Sequence, residues 1–96
     1  EKRTVIKVNE YMEGKVKSLG AEFKGNHFTA GVMLSGQYTF GTNQEEHITV
    51  TLGEMKVRLP RENWRTVSRG ETVIVPPKVS FDLQVEETVS YICLYK

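Results

Sequence analysis

Alternation of apolar and polar residues with a period of two dominates this chain and restricts it to a fold built from sheets. Residues 79–85, VSFDLQV, place Val79, Phe81, Leu83 and Val85 on one face. Residues 55–59, MKVRL, send Met55, Val57 and Leu59 one way and Lys56 and Arg58 the other. Residues 46–52, EHITVTL, set Glu46, Ile48, Val50 and Leu52 against His47, Thr49 and Thr51. Successive side chains of a strand point to opposite sides, so this period marks a strand with one buried face. No stretch carries the 3.6-residue apolar stripe of an amphipathic helix. Alanine, the best helix former, occurs twice, whereas the β-branched residues Val and Thr are frequent.

Turn residues cut the alternation into short pieces. Further strands are expected at 4–8, 14–19, 28–34, 37–42, 72–75 and 88–95, with turns at Ser35-Gly36 and Gly53-Glu54. Pro60 ends the 55–59 strand because proline cannot donate to a ladder. Residues 60–70 read as a polar connection anchored by Trp64, and His27 as a loop residue. Residues 88–95, TVSYICLY, are apolar on both faces, as in a central or doubly covered strand.

Many short strands at regular spacing predict an all-β sandwich or barrel. At 96 residues there is room for one domain, 1–96. So small a sheet leaves edges, and the 4–8 strand is free to pair with a second chain, so a homodimer is expected. Lys and Arg number 13 against 12 Asp and Glu, which lacks the basic excess of a nucleic-acid binder. No apolar run approaches a membrane span, and the charged start EKRTVIKVNEY is unlike a secretory signal. The single cysteine, Cys93, excludes an internal disulfide framework and a cysteine-cluster metal site, and a cytoplasmic setting is expected.

Two spacings carry a resemblance. EHITVTLG has a glutamate, six residues and a glycine, and GETVIVP has a glycine, five residues and a proline. Both match the sequence motifs of the cupin family, which implies a cupin-type double-stranded, jelly-roll-like β-barrel with almost no helix. The wider string NEYMEGKV, GVMLSGQYTF, VPPKVSFDLQV and SYICLY, from about Asn9 to Tyr95, resembles the pyrimidine/purine nucleoside phosphorylase family of small cupins. Residues 1–8 lie outside it. The resemblance implies a pentosyl transfer: nucleoside plus inorganic phosphate gives free base plus ribose 1-phosphate, with broad base tolerance.

The cupin motifs are broken where a metal would bind. The two paired histidine positions fall on Phe40 and Thr42, and the third on Phe81. Lys78 and Val85 replace the second motif's later glycine and its asparagine. Of the usual ligands Glu46 alone survives, and one carboxylate does not hold a transition metal. No metal and no other cofactor is expected.

The motif register gathers Phe40, Thr42, Glu46 and Phe81 about one point inside the barrel, and alternation puts Tyr38 on the face shared by Phe40 and Thr42. Glu46 is the catalytic candidate, an acid set inside the barrel whose pKa burial raises and a cation lowers. Tyr38, Phe40, Thr42 and Phe81 are the substrate-binding candidates. Stacking on an aromatic wall barely discriminates among bases, which suits a broad specificity; plain core packing is the competing role for the same aromatics. Cys93 reads as a small buried hydrophobe. His47 should face away from Glu46. Arg61, Arg65 and Arg69 near Trp64 suit either phosphate capture or a solvated loop, so no phosphate-binding residue is assigned. Two further functional classes remain open at this point, a non-catalytic small-molecule binder on the same barrel and a structural partner subunit.

Overall fold

The computed structural model describes residues 5–96. Ten strands follow one another: β1 (Lys7–Tyr11), β2 (Val16–Phe23), β3 (Asn26–Met33), β4 (Gly36–Gly41), β5 (Glu46–Leu52), β6 (Glu54–Arg58), β7 (Arg65–Ser68), β8 (Thr72–Val75), β9 (Ser80–Val85) and β10 (Val89–Tyr95). The only helical piece among the described residues is a single 3-10 turn, Met12–Gly14. Among the described residues no helix is long and apolar enough to cross a membrane.

The strands form two antiparallel sheets. One has six strands in the order β1-β2-β3-β10-β5-β8, the other four in the order β4-β9-β6-β7. The inward rows of both sheets meet in one core that includes Val16, Ile48, Val50, Met55, Val57, Val67, Val73, Leu83 and Val89. Alternation in 55–59 and 79–85 is as read: Met55, Val57, Leu59, Phe81, Leu83 and Val85 are buried. β10 is a central strand, flanked by β3 and β5, and it is not covered on both faces: its outer residues Ile92 and Leu94 are exposed.

Four local expectations change. The first strand runs over Lys7–Tyr11 rather than 4–8, and Thr4 lies outside the described residues. β2 and β3 extend to a tight hairpin at Lys24-Gly25, so His27 is in a strand. Both turn residues have positive φ, 52° and 80°, the geometry that two-residue hairpins require; polar residues on both arms hide the strands from a hydrophobic pattern. The 60–70 connection contains β7, which contributes the single inward apolar residue Val67 against Met55. Trp64 is partly exposed, with the Arg58 guanidinium 4.7 Å from its ring centroid. Finally, Leu52 is 61% exposed. The β5–β10 register shifts between Ser90 and Tyr91, so Thr51 is an extra residue and Leu52 turns outward opposite Ser90. A bulge reverses the facing of everything beyond it.

Candidate functional site

A cavity of about 300 Å³ opens between the sheets. Its two walls differ in chemistry. The six-stranded sheet contributes Ser18 from β2, Glu46 from β5, and Tyr91, Cys93 and Tyr95 from β10. The four-stranded sheet contributes Phe40 and Gly41 from β4 and Phe81 and Leu83 from β9. Phe40 and Phe81 are directly paired across β4 and β9, with ring centroids 6.3 Å apart. Tyr11, at the end of β1, meets Phe40 edge-on at 5.7 Å. The six-stranded wall, which Val16, Met33 and Ile48 also line, thus carries the polar atoms of Ser18, Glu46, Tyr91 and Tyr95 and faces the phenylalanines of the other wall.

Glu46 is half-buried at the start of β5, and the Cys93 thiol lies 3.6 Å from its Oε1 as donor. Burial raises the Glu46 pKa above its ordinary value, and the thiol contact opposes that rise. Burial pushes the Cys93 thiol up to about 12, and the charge of Glu46 adds to the effect. Cys93 is therefore a protonated, 2% exposed side chain and not a nucleophile. Burial likewise pushes Tyr91 up to about 12 and raises Tyr95. Both phenols stay neutral at physiological pH. The Tyr95 hydroxyl lies 3.3 Å from Thr29 Oγ1.

Of the five residues singled out in the sequence, the cavity brings together Phe40, Glu46 and Phe81. Tyr38 and Thr42 are not in its lining. Tyr38 is buried in the core and donates to the Leu34 carbonyl at 2.6 Å, fastening the passage from β3 to β4. Thr42 Oγ1 donates to the Pro76 carbonyl at 2.7 Å and accepts from the Val79 amide at 3.1 Å, latching the 76–79 loop. Alternation assigns a face, but neighbours along a face reach different depths. Tyr11, Ser18, Tyr91, Cys93 and Tyr95 line the cavity without having been singled out as ligand-binding residues. The available signal was Tyr91, Cys93 and Tyr95 at alternate positions in SYICLY, which is indistinguishable from core packing until the partner sheet is in place.

Among the described residues no Lys, Arg or His lines the cavity. Arg61 and Arg65 border shallow surface depressions, and Arg69 borders an open groove with Lys56, Glu54, Glu86 and Glu87. His47 faces outward and pairs with Glu45 at 2.6 Å. Among the described residues no group of three or more His, Cys, Asp or Glu side chains is placed to hold a metal ion. The aromatic residues at the cupin histidine positions do not fit a transition metal, because a phenyl ring offers no lone pair.

Two antiparallel sheets enclosing a pocket make this chain a cupin-type barrel. An ethanolamine utilization protein Q from Salmonella typhimurium shares that fold, with a TM-score of 0.75 at 11% identity over 99% of this chain and 96% of that one. The family is set by closer comparisons. The family model described as pyrimidine/purine nucleoside phosphorylase matches residues 6–95. A Pectobacterium carotovorum protein of that name is 50% identical over 93 residues, spanning 95% of this chain and 99% of the relative. The crystal structure of a Vibrio parahaemolyticus protein of unknown function superposes with a TM-score of 0.94 at 44% identity, covering 97% of this chain and all of that one. The chain belongs to the pyrimidine/purine nucleoside phosphorylase family.

Proposed function

We propose that this protein is a nucleoside phosphorylase of broad base specificity that works without a metal or other cofactor. The observation that carries the reading, beside family membership, is the two-walled cavity. A nucleoside has an aromatic base and a hydroxylated sugar, and the walls match those two halves. The base stacks on Phe40 and Phe81, a contact worth about 1–3 kcal/mol and indifferent to the base's polar edge. Hydrogen-bond readout of that edge would instead reject most bases.

In the reaction, a phosphate oxygen bonds to the anomeric carbon as the carbon–nitrogen bond breaks. The electron pair leaves with the base, which takes up the proton that hydrogenphosphate gives up. Positive charge gathers on the sugar in the transition state, as in glycoside cleavage. The ionised Glu46 carboxylate, in a site partly withdrawn from water, stabilises that charge.

Incubation with uridine or adenosine, with and without phosphate, tests the reading. The expected result is base release that requires phosphate and survives exhaustive chelation. Base release without phosphate would mean a hydrolase, and activity lost with a removable metal would end the metal-free reading. One observation favours a second function, a non-catalytic small-molecule binder. Among the described residues the cavity lining holds a carboxylate and no cation, whereas phosphate is usually held by cations or convergent N–H groups. A protein that binds uridine and releases no base under any condition would be that binder.

A further inference from the structure

We propose that the Tyr91 hydroxyl is a fixed hydrogen-bond donor to a ribose hydroxyl of the bound nucleoside, held in place by Gly31 and Ser18. The proposal rests on the nucleoside reading above and goes beyond it by assigning the sugar contact. Asn9, Ser18, Gly31 and Tyr91 form one cross-strand row over β1, β2, β3 and β10. The Tyr91 side chain lies along that row. A Cβ built on Gly31 would stand 2.5 Å from the tyrosine oxygen, 2.6 Å from Cζ and 2.8 Å from Cε1. Gly31 is not among the residues with positive φ, so what position 31 requires is space, not backbone freedom. The glycine is the shelf on which the ring rests.

Beyond the shelf stands Ser18, paired directly with Gly31 across β2 and β3 and lining the same cavity as Tyr91. Ser18 is 4% exposed and accepts from Asn9 Nδ2 at 3.2 Å. Asn9 therefore fixes Ser18 beside the Gly31 shelf. A phenol carries one donor besides its acceptor lone pairs, and the Tyr91 donor lies in the cavity wall. Tyr91 lines the polar wall with Glu46, opposite the phenylalanines. A rigid donor there meets the sugar, the part common to all nucleosides, and so costs no base tolerance.

The test compares binding of uridine, 2′-deoxyuridine and 3′-deoxyuridine by calorimetry, with phosphate-dependent turnover in parallel. Tyr91→Phe is expected to weaken uridine binding about tenfold and to bind one of the two deoxy analogues as well as it binds uridine. Gly31→Ala, which keeps the hydroxyl but evicts the ring, is expected to lose the same discrimination. Ser18→Ala should lose part of it, and it supplies the test if the other two variants do not fold. A variant that weakens all three ligands equally, or none, overturns the proposal while leaving the phosphorylase reading intact. Wild-type protein that neither binds nor cleaves uridine overturns both.

Discussion

Glu46, the residue proposed for the chemistry, is one that burial makes unfavourable for stability when charged. Its pKa is raised by burial, so the folded state holds the proton more tightly than the unfolded chain. By linkage, stability is then full below the ordinary value of 4.5 and declines as pH rises through the raised folded value. Glu46→Gln removes the charge and keeps an acceptor for the Cys93 thiol. The variant should melt at or above the wild-type temperature at pH 7, with the difference vanishing as pH falls below 4.5. Its kcat should fall by about 10²–10³, the usual cost of losing one placed electrostatic contact, with nucleoside affinity little changed. A folded variant retaining more than about a tenth of wild-type kcat removes Glu46 from the mechanism. Thermal scans across pH and steady-state kinetics read the two effects separately.

At the level of elements, turns and bulges set which residues reach the cavity. Gly53, the glycine that closes the Glu46 motif, joins β5 to β6 and so carries the chain from one sheet to the other. Its φ is +81°, and an added Cβ would stand 2.7 Å from the Thr88 carbonyl oxygen. Backbone cannot yield there as a flexible side chain does. Gly53→Ala should therefore destabilise the protein by about 1–3 kcal/mol, read as a lower denaturant midpoint with unchanged slope. An unaffected midpoint would show that the crossing relaxes around the methyl group. The motif spacing recorded in the sequence is thus the length of β5 plus a glycine that the sheet crossing demands.

For the whole molecule, the outer face of the six-stranded sheet is the conspicuous feature. Val8, Leu19, Ala30 and Ile92 lie in one register row across β1, β2, β3 and β10, and Val8, Leu19 and Ile92 are all exposed. The neighbouring row carries Glu10 and Lys17, paired at 3.9 Å. An apolar row rimmed by both charges can meet its own copy about a twofold axis, as an isologous dimer requires. A homodimer through this face is the proposed assembly, and β1, at the sheet edge, extends it. Light scattering should give the mass of two chains, and the double change Leu19→Lys with Ile92→Lys should give one without loss of fold. A wild-type monomer at micromolar concentration would rule the assembly out.

Periodicity determined, without any structure, that 55–59 and 79–85 are half-buried strands, because pleating forces alternate side chains apart; the apolar run 88–95 suited a central or a doubly covered strand, and only the structure shows that it is central with its outer face exposed. Motif spacing gathered Phe40, Thr42, Glu46 and Phe81 about one point; the structure brings Phe40, Glu46 and Phe81 to one cavity and leaves Thr42 out of its lining. Local pattern did not reveal β7, the Lys24-Gly25 hairpin or the outward turn of Leu52. Those depend on φ at a turn, on one inward valine finding a partner, and on a bulge between non-adjacent segments. The polar wall, with Ser18, Tyr91 and Tyr95, was likewise decided only by tertiary structure. Whether a strand tyrosine packs in the core or lines a cavity depends on what stands opposite it, and across this barrel that residue is supplied by a distant part of the chain.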